Sequence, residues 1–367
     1  MSNKIILGLQ FGDEGKGLFT DYLCSQFPDS LDVRFSGGHQ VSHTVVTDEV
    51  NHMFTNFGSG TLRGIPSYWS KYCTVEPIGL INELEILESK SIIPLLYIDE
   101  QCPITTPFDI DHNKRTERVN CHGSCGVGFN STINRKEKYY SLTFLDLFYP
   151  NILRTRLRAI EHFYNNTLDL TTFFECCETI VNYSFIRKVY GLPKYNNHIF
   201  EGSQGLLLDQ NFGFFPNVTR ANTGMKNAVE LVGSEDFDIY LITRAYQTRH
   251  GNGFMTNEGI PNNILSNLLE SNKENEYQGK FRKSLLDLSL LEYAINKDEF
   301  IRKSERKNLV ITCLDHIINE YRFTYKNKII YCSNEDEFIV KISDILRIKD
   351  IYISKSNNSK NIIKFRR

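Results

Sequence analysis

The chain has 367 residues, 41% of them hydrophobic and 23% charged, which is enough apolar material for one large α/β domain or two moderate ones and argues against disorder. A formal net charge of -2 excludes the global basic face of a nucleic-acid binder, so an anionic partner has to be held locally. The opening apolar run breaks at Gln10 into glycines and charges, unlike a signal peptide, and no apolar stretch approaches the roughly 18 residues of a membrane helix. A soluble, cytoplasmic protein without a membrane partner is expected, and nine cysteines without a C-x-x-C pair predict reduced core thiols.

In chain order, Lys4 to Phe11 reads as a buried strand running into a glycine-rich turn, with helical spacing over 18–27 behind it. Short strand-like apolar runs follow at 32–35, 92–98, 198–200, 237–243, 308–313 and 350–354. Helical patterns at 79–89, 152–166, 168–189 and 285–295 alternate with them. Segments 130–140 and 251–279 and the tail after Ser354 read as loops rich in Asn, Lys and Gly. Strands interleaved with helices predict an α/β fold, a large and mainly parallel sheet flanked by helices. In such sheets ligands sit beyond the carboxyl ends of the strands, and the unusual motifs of this chain begin there.

The first motif is Gln10-Phe-Gly-Asp-Glu-Gly-Lys-Gly17, between a strand and a helix. Glycines let backbone N–H groups approach a phosphate, the helix N-terminus adds partial positive charge, and Lys16 adds a full one. It is not a Walker A loop, which has glycine at the place of Gln10 and Ser or Thr at that of Gly17. Asp13 inside an anion cradle makes sense as a Mg²⁺ ligand or as a base for a bound heterocycle. The second motif, Gly37-Gly-His-Gln-Val-Ser-His-Thr44, places two histidines four residues apart, either as metal ligands or with one imidazole as an acid beside a developing oxyanion.

QFGDEGKG followed by GGHxxxHT resembles the two opening motifs of the adenylosuccinate synthetase family. Further matches follow in family order: His122 to Gly128, Phe200 to Asp209, Pro216 to Thr223, Ala245 to Arg249 and Thr312 to Asp315. The resemblance covers about Ile5 to Ser356 and implies a P-loop-like synthetase fold, a single domain over 1–367 with a helical excursion at about 150–190, and a homodimer. It implies a ligase that joins L-aspartate to C6 of a 6-oxopurine nucleoside monophosphate, IMP in the parent reaction, with hydrolysis of GTP or ATP and Mg²⁺ as cofactor. A relative acting on (d)GMP and a non-catalytic nucleotide sensor are the alternatives.

By the same resemblance Asp13 is the base that removes the N1 proton and a Mg²⁺ ligand, and His43 is the acid beside O6 and the transferring phosphoryl group. Lys16 with Gly12, Glu14, Gly15, Gly17 and Gln40 contacts nucleotide phosphates, and Ser42 offers a backbone carbonyl to Mg²⁺. Gln204 hydrogen-bonds the purine, whereas Ser124, Cys125 and Thr219 contact the monophosphate; Cys125 replaces a family threonine. Asp315 and Ser354 belong to the site of the donor base, where Cys313 stands in place of a lysine usually stacked beneath guanine. The arginine-rich aspartate loop of the family is shortened here to Tyr277 to Ser284, with Lys280, Arg282 and Lys283 as candidate carboxylate ligands. Arg135 and Lys136 are nearest to the arginine that a neighbouring subunit lends.

Overall fold

The computed structural model describes residues 2–120, 123–265 and 279–367. Its centre is a ten-stranded sheet, in spatial order Ile363–Phe365, Asp350–Ile353, Lys307–Thr312, Asp238–Arg244, Ser2–Gly8, Asn197–Gly205, Ser30–Arg34, Ser67–Trp69, Leu96–Asp99 and Ile186–Val189. Every neighbouring pair is parallel except at the first edge, where Ile351 opposes Phe365 in antiparallel register. The first strand therefore sits mid-sheet, with Ile5 beside Phe200 on one side and Ile239 on the other.

Alternation along the strands explains why both faces are covered. Ile5, Leu7, Ile239, Leu241, Leu309 and Ile311 enter one apolar cluster, and the intervening Ile6, Tyr240, Ile242 and Val310 enter another beneath helix Lys16–Gln26. Each such side chain contributes about 1.5–3 kcal/mol on burial, so a one-residue slip in register would expose a whole face. A third cluster lies towards the far edge, where helices Pro77–Ser89, Pro150–Tyr164 and Thr171–Asn182 pack.

The strands expected from short apolar runs are present, and four segments differ from the sequence expectation. The helical pattern at 168–189 divides, because after Tyr183 the chain turns extended and Ile186–Val189 joins the sheet beside Leu96–Asp99. The pattern at 285–295 also divides: Leu285 ends strand Phe281–Leu285, and Asp287 caps helix Leu288–Lys297 by accepting from the N–H of Ser289 at 2.9 Å. Residues 129–137 form a helix rather than a loop; its buried face carries Ser131, Thr132 and Arg135 beside Phe129, so it has little apolar period to read. The tail returns as strand Ile363–Phe365.

Cys24, Cys73, Cys102, Cys176 and Cys177 are buried free thiols, while Cys121 lies outside the described residues. No helix among the described residues is long and apolar enough to cross a membrane.

Candidate active site

The phosphate-loop motif occupies the carboxyl end of the central strand. Gln10, at the place of the Walker glycine, staples the loop down: its amide donates to Thr243 Oγ1 at 2.6 Å and to the Tyr246 carbonyl at 3.0 Å, and its oxygen accepts from the N–H of Thr248 at 3.3 Å. Gly15 adopts a left-handed φ of 92° at the N-cap of helix Lys16–Gln26. Glu14 turns inward, accepting from the N–H groups of Gln10 at 2.9 Å and Gly12 at 3.0 Å, and its other oxygen lies 3.1 Å from Lys16 Nζ. Lys16 also donates to the Gly12 carbonyl, so both charges are buried and mutually satisfied.

Asp13 faces the other way, into a cleft, with 26% of its side chain exposed and His250 Nε2 at 3.8 Å. Burial pushes its carboxyl above the usual range, against the opposing charges of His250, Arg244 and Lys16.

Beside this loop, His43 opens strand His43–Val46 and is buried. Its Nδ1 lies 2.7 Å from Glu201 Oε1. Glu201 also accepts from the N–H of Ser59 at 3.2 Å and from its hydroxyl, and lies 3.5 Å from Arg34 Nη1. Burial alone would raise the Glu201 carboxyl; His43, Arg34 and Ser59 outweigh it and hold the group at about 2. An ionised Glu201 requires Nδ1 of His43 to be the donor, which leaves Nε2 buried without a partner. Burial lowers His43 itself, and the Glu201 charge works in the opposite direction. His39, the other histidine of the motif, pairs through Nδ1 with Asn56 Oδ1 at 3.2 Å rather than with Glu201. Gly17 is what lets the helix approach: a Cβ there would stand 2.6 Å from His43 Cβ.

One cleft gathers the segments. Gly12, Asp13, Gln40, Ser42, Ser124, Cys125, Gln204 and Thr219 all line it. Gln204 Oε1 and both polar atoms of the Gln40 amide are buried there without partners, as expected of groups reserved for a ligand. Asn113 ties the 124–128 segment by donating to Ser124 Oγ at 3.0 Å and accepting from the N–H of Gly128 at 3.0 Å, where helix Phe129–Glu137 starts.

The family model for adenylosuccinate synthetase matches residues 5–353. The chain belongs to the adenylosuccinate synthetase family, whose members are carbon–nitrogen ligases. It is 31% identical over 282 residues to an adenylosuccinate synthetase of Thermodesulfovibrio yellowstonii, covering 69% of this chain and 64% of that protein, so it spans under two thirds of that relative's length. It is 28% identical to one of Francisella philomiragia over 378 residues, 94% of this chain and 86% of that protein. In fold it is similar to the fully ligated adenylosuccinate synthetase of Plasmodium falciparum, with a TM-score of 0.75 at 16% identity over 99% of both chains. The succinoaminodeoxyadenylate synthetase of cyanophage S-2L, bound to dGMP and dATP, gives 0.67 at 13% identity over 99% of this chain and 95% of that one.

Other positions suggested by the family resemblance lie outside the cleft. Asp315 and Ser354 sit on adjacent loops, after strands Lys307–Thr312 and Asp350–Ile353, where the N–H of Leu314 meets the Ser354 carbonyl at 3.4 Å. Thr312 Oγ1 donates to the Glu14 carbonyl at 2.8 Å, coupling this region to the phosphate loop. The expected aspartate loop is a strand from Phe281 onward, paired with Tyr246–His250, and its beginning at Tyr277 and Gln278 lies outside the described residues, as does His122. Arg282 is engaged with Glu258 at 2.8 Å and the Gly253 carbonyl at 2.8 Å, and Lys283 donates to the Leu265 carbonyl at 3.2 Å. Lys280, Arg282 and Lys283 do not line the cleft, whereas Arg249 and His250 on the opposite strand do. Arg135 is buried on Asp109 at 2.9 Å, which removes it as an arginine lent to a neighbour.

The donor set fits Mg²⁺. Among the described residues Asp13 is the one carboxylate on the cleft wall, Ser42 lines the same cleft, and no cluster of three His, Cys, Asp or Glu suited to a self-sufficient metal site occurs. Magnesium commonly takes one or two carboxylates and completes its shell with phosphate oxygens and water.

Proposed function

We propose that this chain is a ligase that joins L-aspartate to C6 of a 6-oxopurine nucleoside monophosphate, IMP in the first instance, at the expense of GTP or ATP. The observation that carries the reading is the convergence of a partly exposed Asp13 with the unpartnered Gln204 Oε1 in one cleft, beside the buried His43–Glu201 pair.

In the first step Asp13 takes the proton from N1 as O6 attacks the γ-phosphorus and the nucleoside diphosphate leaves. A carboxylate raised by burial is the better base. His43, held neutral by burial in the free site with Nδ1–H on Glu201, takes a proton at Nε2 as the ligand's negative charge arrives, and the Glu201 carboxylate stabilises the imidazolium that then donates to those oxygens. Lys16 and the glycines at 12, 15 and 17 receive the phosphates, which compete with Glu14 for the same ammonium. In the second step the amine of aspartate attacks C6, phosphate departs and the amine loses a proton. Gln204 holds the purine edge, with one amide face donating and the other accepting.

Ser124, Cys125 and Thr219 hold the 5′-phosphate near the N-terminus of helix Phe129–Glu137. Asp315 and Ser354 contact the donor base. Asp13 and the Ser42 carbonyl would hold Mg²⁺, which neutralises triphosphate charge. The chain works as a homodimer in the cytoplasm, as its family resemblance implies.

The test is phosphate release from GTP and ATP with aspartate and Mg²⁺ against IMP, dIMP, GMP and dGMP, with mass spectrometry for a succinylated product. Product from IMP supports the reading. Product from guanine nucleotides alone replaces it with a 2-amino acceptor, and tight nucleotide binding without aspartate-dependent turnover replaces it with a sensor.

A further inference from the structure

Arg249 is a buried cation on the cleft wall, 2% exposed, with its guanidinium 4.3 Å from the centre of the Phe11 ring. Two of its donors are satisfied by backbone: Nη1 donates to the Phe254 carbonyl at 2.5 Å and Nη2 to that of Asn217 at 3.0 Å. Its Nε–H is buried without an acceptor. Across the hairpin Arg249 stands opposite Arg282, and Glu258, the carboxylate whose charge reaches it, is already paired with Arg282 at 2.8 Å. Burial and the neighbouring Arg282 push the guanidinium down to about 10. The chain around it is shaped for this side chain: Gly253 has φ 109°, and a Cβ there would lie 2.3 Å from Arg249 Nη2.

A buried cation left short of negative charge in a ligand cleft calls for an anion from the ligand. Beside the triphosphate, which Lys16 and the glycine loop receive, two anions enter the proposed reaction near this cleft, the acceptor's phosphate and the amino acid's carboxylates. Position decides between them. The Arg249 guanidinium lies against the ring of Phe11, two residues before Asp13, and lines the same cleft as Asp13. Asp13 addresses N1 of the purine, and C6 is the next ring atom, whereas the phosphate hangs from the sugar at the far end of the nucleotide.

We propose that Arg249 receives a carboxylate of the incoming dicarboxylic amino acid. This rests on the ligase reading above and adds to it a specificity residue outside the shortened loop.

The experiment uses the full-length protein with Arg249→Gln and Arg249→Lys. For Arg249→Gln the KM for aspartate rises about 50-fold or more while the KM for the acceptor nucleotide stays within about threefold, and Arg249→Lys falls between, since it keeps charge without the fork. An unchanged KM for aspartate, or a rise confined to the nucleotide, overturns the proposal in favour of a phosphate contact. A joint loss of all parameters with a lowered melting temperature in both variants overturns it in favour of a structural clamp on 217 and 254. If the wild type shows no turnover, the ligase reading fails separately. Calorimetric titration of nucleotide-loaded protein with L-aspartate then decides: binding lost in Arg249→Gln supports the carboxylate site, and equal or absent wild-type binding overturns it.

Discussion

Glu201 fixes His43 from behind, Oε1 to Nδ1 at 2.7 Å, in a place where Glu201 is fully buried and His43 nearly so. The carboxylate selects the tautomer and stabilises the imidazolium, and it also balances Arg34 at 3.5 Å. Glu201→Gln keeps the shape and removes both effects, so kcat falls about 100-fold. Leaving Arg34 uncompensated lowers stability by about 3 kcal/mol in urea titration. In the wild type the stabilisation is present above the unfolded carboxylate's ordinary pKa and is lost as pH falls from there towards about 2. Unchanged kcat in a well-folded variant would remove Glu201 from the mechanism.

Asp13 carries the opposite sign. Its folded-state pKa is raised by burial, so ionising it at neutral pH works against folding, and the associated stability is largest below the unfolded pKa and lost as pH rises through the folded one. Asp13→Asn therefore removes turnover by at least about 1,000-fold and raises Tm by roughly 1–3 °C, a small gain because the carboxyl still touches solvent. Calorimetric melting beside phosphate release checks both halves. A lowered Tm with residual turnover refutes the assignment.

Much of this arrangement was legible in the sequence because strand ends and glycine loops are local. Gln10 to Gly17 announces an anion loop, and the alternation in Ile5, Ile6 and Leu7 announces a strand covered on both faces. Glu201 and Arg249 were written inside recognised motifs, but their roles depend on partners 158 positions away at His43 and on a hairpin pairing with Arg282. No spacing rule reveals such contacts. The expected arginine-poor loop proved to be a strand, because Phe281 to Leu285 pairs with Tyr246 to His250, and strand alternation separates Arg282 from Lys283.

Gly17 tests how tightly the loop and the histidine are coupled. An alanine there gains helix propensity of about 1 kcal/mol, but its methyl would meet His43 Cβ at 2.6 Å and Ser59 Oγ at 2.9 Å. Overpacking of this kind costs about 1–3 kcal/mol, and His43 has no room to yield while Glu201 holds it. Gly17→Ala is expected to lower kcat more than it raises either nucleotide KM, as steady-state kinetics will show. Wild-type kcat would mean that the helix shifts without disturbing His43.

Cys125 offers a chemical probe of the monophosphate subsite. Burial pushes its thiol up to about 11, so at pH 7.5 roughly one thiol in a few thousand is ionised and alkylation is slow. The rate with iodoacetamide should climb about tenfold per pH unit up to pH 10, read by peptide mass spectrometry on Cys125. Acceptor nucleotide should slow that reaction, because Cys125 shares the cleft wall with Ser124 and Thr219, and should leave Cys313 beside Asp315 unprotected. Fast labelling at pH 7 that ignores the nucleotide would detach residues 124 to 128 from the monophosphate. Protection by triphosphate alone would instead exchange the two nucleotide subsites, moving the donor base away from Asp315.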